Sequence, residues 1–279
     1  MYHFPDQLNQ EGFCRIDKKW VENMHLAILP DSSKAILPVI LSYCNTNGIS
    51  FPSYPTIAAL TGLTTRTVQG AVKGLRGFPG IEIQDYITKR GRIGKKYILN
   101  PRQDMSDEKG QCFFFHRAIL EYGNWRMLEK NISVGLYLAM RHFAYFDFET
   151  YLLVEGEQNA SLYDLEVPEL YKIRRWDICE SEIAVLAKFA GISRPSVYEG
   201  LKDLQKNFLI EEMLLDEDGV RHWKVFLIPP KYYKRDFLNG QLKGTCKNSS
   251  TMCKKSSSTR VKILPKRVKK TSGNKGGSC

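Results

Sequence analysis

The chain has no run of the ~18 consecutive apolar residues that a membrane-spanning helix needs. Its opening, Met1-Tyr2-His3-Phe4-Pro5-Asp6, lacks both the basic start and the apolar stretch of a secretion signal. A cytoplasmic, nucleoid-associated protein with no membrane partner is expected. Paired cysteines are missing as well. Cys14, Cys44, Cys112, Cys179, Cys246, Cys253 and Cys279 are odd in number and scattered, with no C-x-x-C and no histidine at zinc-ligand spacing. Reduced thiols are expected, and neither a disulfide frame nor a metal site. His3, His25, His116, His142 and His222 form no His-x-His pair, which disfavours a metal-dependent nicking site. No G-x-x-x-x-G-K-[ST] loop is present to hold a nucleoside triphosphate. The sequence thus points away from an enzyme and calls for no cofactor.

Acidic residues are absent from residues 237–279, which hold 11 Lys/Arg. Residues 1–103 hold 13 Lys/Arg against 7 Asp/Glu, and residues 104–236 hold 17 against 23. The two lobes cancel, so the formal net charge of +11 equals the charge of the tail. Cations that neutralise phosphates release condensed counterions, so a basic first lobe and tail suit a polyanion, whereas an acidic second lobe is repelled by one. The run Lys262-Ile263-Leu264-Pro265-Lys266-Arg267-Val268-Lys269-Lys270 is dense enough for salt-sensitive tethering to DNA. From Gly240 onward, Lys, Ser, Thr and Gly leave too little apolar surface to order the chain.

What is present is a signature used twice. Gly62-Leu63-Thr64-Thr65-Arg66-Thr67-Val68 through Leu75 recurs as Gly191-Ile192-Ser193-Arg194-Pro195-Ser196-Val197 through Leu204, offset by 129 residues. In each copy a Gly ends one helix, an apolar residue plugs the turn, and a Thr or Ser caps a helix with an apolar inner side. This is a helix-turn-helix pattern. Upstream the offset is 101, where Phe13, Asn23, Ser32 and Leu37 meet Phe114, Asn124, Ser133 and Leu138. Each lobe therefore opens with a short irregular segment and then an apolar helix. The change of offset implies an insertion of 28 residues within Asp147 to Ile178, a Tyr- and Glu-rich stretch expected to be a long loop, functional or disordered.

Periodicity predicts helices near 32–45, 54–61 and 65–76 and strands over Ile81–Ile87 and Lys95–Leu99 in the first lobe. In the second it predicts helices near 133–146, 180–190 and 194–206 and strands over Leu209–Leu215 and Val220–Ile228. Three helices and a β-hairpin make the winged-helix arrangement. The expected fold is mainly α with small β-hairpins (α+β), as two tandem winged-helix domains and a disordered basic tail. The first domain spans 1–103, the second spans 104–236 with an acidic insertion at about 147–178, and the tail spans 237–279. With 43% hydrophobic residues the chain can bury two ordinary cores. The helix near 133–146 is apolar around much of its circumference (Val134, Leu136, Tyr137, Leu138, Met140, Phe143), and lobe-to-lobe packing and a homodimer both satisfy that pattern.

On the helix near 65–76, Val68, Val72 and Leu75 face inward and leave Thr65, Arg66, Gln69, Gly70 and Lys73 outside. Arg bonds bidentately to guanine and Gln to adenine, while Thr64 and Thr67 at the helix start reach phosphate beside free backbone amides. A solvated face would use the same residue types, but turn, cap and wing agree on double-stranded DNA as the partner. The wing adds Lys89, Arg90, Arg92, Lys95 and Lys96 around two glycines, and Arg90-Gly91-Arg92 suits a narrow A·T-rich minor groove. Arg194, Ser196, Tyr198 and Lys202 form the matching second surface. There Pro195 removes an amide, Glu199 replaces Gly70, and Asp216, Glu217 and Asp218 would oppose phosphate. A weaker second DNA site and a dimerisation or partner-docking role both remain open, with the balance toward docking.

Ser50-Phe51-Pro52-Ser53, Leu60-Thr61-Gly62-Leu63, Arg66-Thr67-Val68 and Leu75, within about residues 32–100, resemble the helix-turn-helix family of plasmid and phage replication proteins. A tandem pair of winged helices is also similar to theta-type plasmid initiators, which bind repeated origin sites and recruit host replication proteins. The resemblance implies DNA contact through Thr65, Arg66, Thr67, Gln69, Lys73, Arg90 and Arg92. The acidic second wing departs from a symmetric two-reader initiator. The function expected is sequence-specific DNA binding in replication initiation. A transcriptional regulator and a non-enzymatic interaction adaptor are the alternatives.

Overall fold

The structure, a computed structural model, describes residues 13–87, 91, 93–99, 112–214 and 221–230. The first half runs from β1 (Phe13–Asp17) through two one-turn helices, α1 (Lys19–Glu22) and α2 (His25–Ile28), into α3 (Asp31–Ser42). β2 (Ile49–Ser50), α4 (Tyr54–Thr61), α5 (Thr65–Gly74), β3 (Ile81–Ile87) and β4 (Ile93–Leu99) follow, with the sheet ordered β2-β4-β3. The second half begins with β5 (Cys112–His116), α6 (Ala118–Glu121) and α7 (Asn131–Phe143). It continues through α8 (Phe148–Gly156), a 3-10 turn (Ala160–Asp164), α9 (Val167–Ile173) and β6 (Trp176–Cys179). α10 (Ile183–Ala190), α11 (Arg194–Lys206), β7 (Ile210–Leu214) and β8 (Arg221–Phe226) complete it, with the sheet ordered β6-β8-β7.

Local chemistry explains the helix ends. Ser53 Oγ accepts from Thr56 N at the start of α4, where Pro55 occupies the first turn. Gly62 and Gly191 close α4 and α10 with φ of +77° and +69°, a region in which a side chain is strained. These ends match the sequence expectations. β4, however, begins at Ile93, two residues earlier than expected, because Ile87 and Ile93 continue the cross-strand pairing.

The halves meet about a local two-fold at their opening strands. The two opening segments, expected to be irregular, are the strands β1 and β5, paired antiparallel with Cys14 opposite Phe115. Cys14 and Phe115 are 101 apart, so a residue faces its own repeat counterpart. Each half also packs a turn glycine on the other. A Cβ at Gly62 would lie 2.9 Å from Arg126 O, and one at Gly191 would lie 2.1 Å from Ala27 O.

One apolar core runs through both halves. It joins Ile36, Leu37 and Ile40 of α3, Ile57, Val68 and Val72 of the first unit, Leu136, Leu138 and Met140 of α7, and Leu186, Val197 and Leu201 of the second. Two separate cores were expected. They merge because α7 packs on α3 as well as on α10 and α11, which buries it on nearly every side. The apolar circumference of α7 is thus satisfied within the chain, without a second copy.

The insertion is folded among the described residues, contrary to the expected loop. Asp147 caps α8 by accepting from Thr150 N, and a Glu166/Glu169 capping box starts α9. Tyr151, Leu162, Leu170, Trp176 and Ile178 bury a small second core with Met213 and Phe226 of the hairpin. Trp176 Nε1 donates to Glu155 Oε1 at 2.7 Å, so one of the glutamates that reads as solvated is structural. Beside this core, Asp177 is buried between Arg141 (2.9 Å) and Arg174 (2.7 Å). Burial alone would raise its carboxyl, but the two guanidinium groups prevail and hold it below the usual carboxylate range.

Cys14 and Cys179 are buried, Cys44 and Cys112 are half-buried, and all four are free thiols whose pKa burial pushes upward. Cys246, Cys253, Cys279 and the rest of the tail from residue 231 lie outside the described residues, as does the carboxylate tip Asp216 to Asp218. No helix among the described residues is long and apolar enough to cross a membrane.

Two outcomes are expected from this packing. Gly191→Ala should destabilise both halves in a single thermal transition, followed by tryptophan fluorescence, by about 2 kcal/mol or more from backbone strain and the clash with Ala27 O. Asp177 has a depressed pKa in the folded state, so its stabilisation is present above the ordinary value of 3.8 and is lost as pH falls below it. Asp177→Asn should therefore be less stable at neutral pH, by about 3–5 kcal/mol, yet show a flatter acid limb in urea titrations.

Candidate nucleic-acid interface

α5 is seated by α3. Ser33 Oγ donates to Ala71 O at 2.9 Å, and a Cβ on Gly74 would lie only 2.4 Å from that oxygen, so Gly74 is what lets the two helices approach. Val68, Ala71 and Val72 are buried on the inner side of α5. Thr65, Arg66, Gln69, Gly70 and Lys73 are all exposed on the outer side, as the sequence pattern required. No side chain of Arg66, Gln69 or Lys73 is hydrogen-bonded or ion-paired among the described residues. Arg76, exposed in the turn after α5, continues the stripe. The sequence reading passed over it, although the spacing 66, 69, 73, 76 is that of one helix face.

At the start of α5, Thr64 Oγ1 accepts from Thr67 N at 3.1 Å, and the two threonine hydroxyls share a further hydrogen bond of 2.8 Å. One hydroxyl hydrogen of that pair remains for an outside acceptor. The cap satisfies the third amide of the helix and leaves the first-turn amides of Thr65 and Arg66 pointing outward, where the helix dipole favours an anion.

The wing differs from expectation in its charge. Lys95 sits inside β4 opposite Asp85 and is ion-paired with it, and Lys96 sits opposite Gln84 and is half-buried. Neither lies at the tip. The pairing was missed because Asp85 is ten residues away in sequence and becomes a neighbour only through the hairpin register. Lys89, Arg90 and Arg92 fall outside the described residues. Gly91, between the arginines, is exposed with φ of +70°.

The corresponding face of α11 has the same cap, with Ser193 Oγ accepting from Ser196 N at 3.3 Å. Arg194, Tyr198 and Lys202 are exposed and Ser196 is half-buried. Part of its charge is compensated, however, although Arg194 and Lys202 have no ion pair among the described residues. Lys130 pairs with Glu199, and this hydrogen bond holds the Glu199 carboxyl below the usual carboxylate range. Lys206 pairs with Glu129 in the same way. Asp203, at the position of Gly74, is buried and accepts from Glu129 N, Lys130 N and Ser133 Oγ, so it ties α11 to the start of α7. Beside it Arg194, Pro195 and Tyr198 line a shallow hollow with Glu182, Ile183 and Ala184.

With this geometry in place, the comparison with known families bears on α3 to α5. Residues 27–78 match a family model described as a helix-turn-helix domain. The match covers α3, α4 and α5 with Arg66, Gln69 and Lys73, and it points to DNA as the partner. No curated protein matches the chain. Thr64→Ala should cost about 1 kcal/mol in thermal unfolding through loss of the cap, whereas Arg66→Ala, on an exposed side chain, should stay within about 0.5 kcal/mol of the parent.

Proposed function

We propose that the chain is a non-enzymatic, sequence-specific double-stranded DNA-binding protein that initiates replication of a plasmid, phage or other mobile element. The observation that carries the DNA reading is the outer face of α5, where Arg66, Gln69 and Lys73 stand exposed and uncompensated beside a capped helix start. In a major groove Arg66 and Gln69 read base edges, Lys73 and Arg76 neutralise phosphate, and Thr64, Thr65 and Thr67 set the helix on the backbone. Lys89, Arg90 and Arg92 extend the contact from the wing, and the cations of residues 237–279 add affinity that is indifferent to sequence. The ion pairs of Glu199 and Lys206 on α11 support a docking role for the second unit, with host replication proteins as the partners. The replication reading is supported by the resemblance of the Phe51-Pro52-Ser53 and Arg66-Thr67-Val68 segments to plasmid and phage replication proteins.

One observation favours a second reading, a transcriptional regulator. Two units related by a two-fold suit an inverted repeat, as paired helix-turn-helix subunits do. An initiator should instead occupy direct repeats beside an A·T-rich segment. Selection of bound duplexes from a random pool at about 0.15 M salt separates the two by the orientation of the repeats, and no enrichment would refute sequence reading altogether. Against the selected motif, Arg66→Ala and Gln69→Ala should each cost about 1–3 kcal/mol of discrimination at single base positions. Removal of residues 240–279 should weaken binding to every duplex alike and flatten its salt dependence.

A further inference from the structure

Ile87 and Ile93 are paired across the hairpin at the outer end of the first sheet, and each is 77% exposed. By alternation they share a face with Ile81, Ile83, Tyr97 and Leu99, the face that packs on the helices. The sheet therefore overhangs its own core by four residues past Ile83, about 13 Å, and carries an apolar pair on the overhang. Between that pair and the core sits the Lys95–Asp85 ion pair, and among the described residues nothing from the core covers the isoleucines. An apolar pair so placed extends the hairpin ladder but leaves most of its apolar surface in water.

Resting on the DNA reading above, we infer that Ile87 and Ile93 form an apolar foot that packs on the deoxyribose walls of the minor groove beside the major groove occupied by α5. Three features name DNA as the occupant. The pair belongs to the same unit as the cationic face of α5, it projects from the helical side of the sheet, and the sequence joining the two isoleucines holds three cations and no acid. Sugar C–H surface is an apolar ligand available at every base step. Contact with it releases no counterions, so this part of the affinity is independent of salt, unlike that of the lysines and arginines.

The experiment compares the full chain with Ile87→Ser/Ile93→Ser on the selected duplex at several salt concentrations, with Arg66→Ala as reference. The double variant should keep the parental melting temperature, since both side chains are exposed. It should bind about ten- to a hundredfold more weakly at every salt concentration, with an unchanged slope of log affinity against log salt. Adenine N3 atoms, which face the minor groove, should be less protected from methylation by the variant than by the parent, the remainder coming from Arg90 and Arg92, while guanine N7 protection beneath α5 persists in both. Unchanged affinity or unchanged N3 protection in the double variant overturns the inference and leaves the DNA reading standing if Arg66→Ala still alters preference. A parent that self-associates without DNA, paired with a monomeric double variant, also overturns it, because a second copy would then cover the isoleucines. A parent that selects no motif at all refutes both readings.

Discussion

The contact between α3 and α7 is the constraint on which the other elements depend. Both helices are apolar on too many sides to face water, and each becomes the other's missing core wall. Their union is tied by polar groups that cross it. Lys34, buried in α3, donates to Ala190 O at the end of α10 (2.8 Å), and Arg126 of the second half donates to Ala59 O near the end of α4 (3.2 Å). Each half thus supplies a cation to the carbonyl end of a helix in the other, where the helix dipole is negative. Trp125 Nε1 adds a bond to Ala35 O at 3.0 Å. Because these bonds involve the helices that precede α5 and α11, the same packing sets both outer helices in a fixed relation.

One backbone unit has been used twice with opposite electrostatic results. At the helix-helix contact that seats α5, Gly74 admits Ser33 at close range; at the matching contact of α11, Asp203 accepts from the two amides just before α7 and from Ser133. Both solutions hold the third helix against the first. The second introduces a buried carboxylate, and around it Glu129, Lys130, Glu199 and Lys206 pair off at the surface. Among the described residues, the cations on the face of α5 form no ion pair. A polyanion meets unpaired cations alone on the face of α5, and on α11 two cations, Arg194 and Lys202, beside paired charges of both signs.

Much of this was legible in the sequence because the signals are local. The caps Ser53, Thr64 and Ser193, the turn glycines Gly62 and Gly191, and the apolar spacing of Val68, Val72 and Leu75 each act within a few residues of where they stand. The outer stripe of α5 followed from the inner one. The insertion was misread because its helices are short and its apolar residues, such as Tyr151, Leu162 and Leu170, are sparse among acids. They make a core only by borrowing Met213 and Phe226 from the hairpin far along the chain.

The sequence by itself determined the duplicated helix-turn-helix, the residues on the outer face of α5 and the sign of the charge on each segment, since these depend on residue type and near-neighbour spacing. Only the tertiary structure decided that the lobes share one core about a two-fold, that Lys95 is spent on Asp85, that Glu199 is held by Lys130, and that Ile87 and Ile93 overhang the sheet. Each of those depends on which distant segments meet. That is set by shape and by the need to cover apolar helices on all sides, and no local pattern records it.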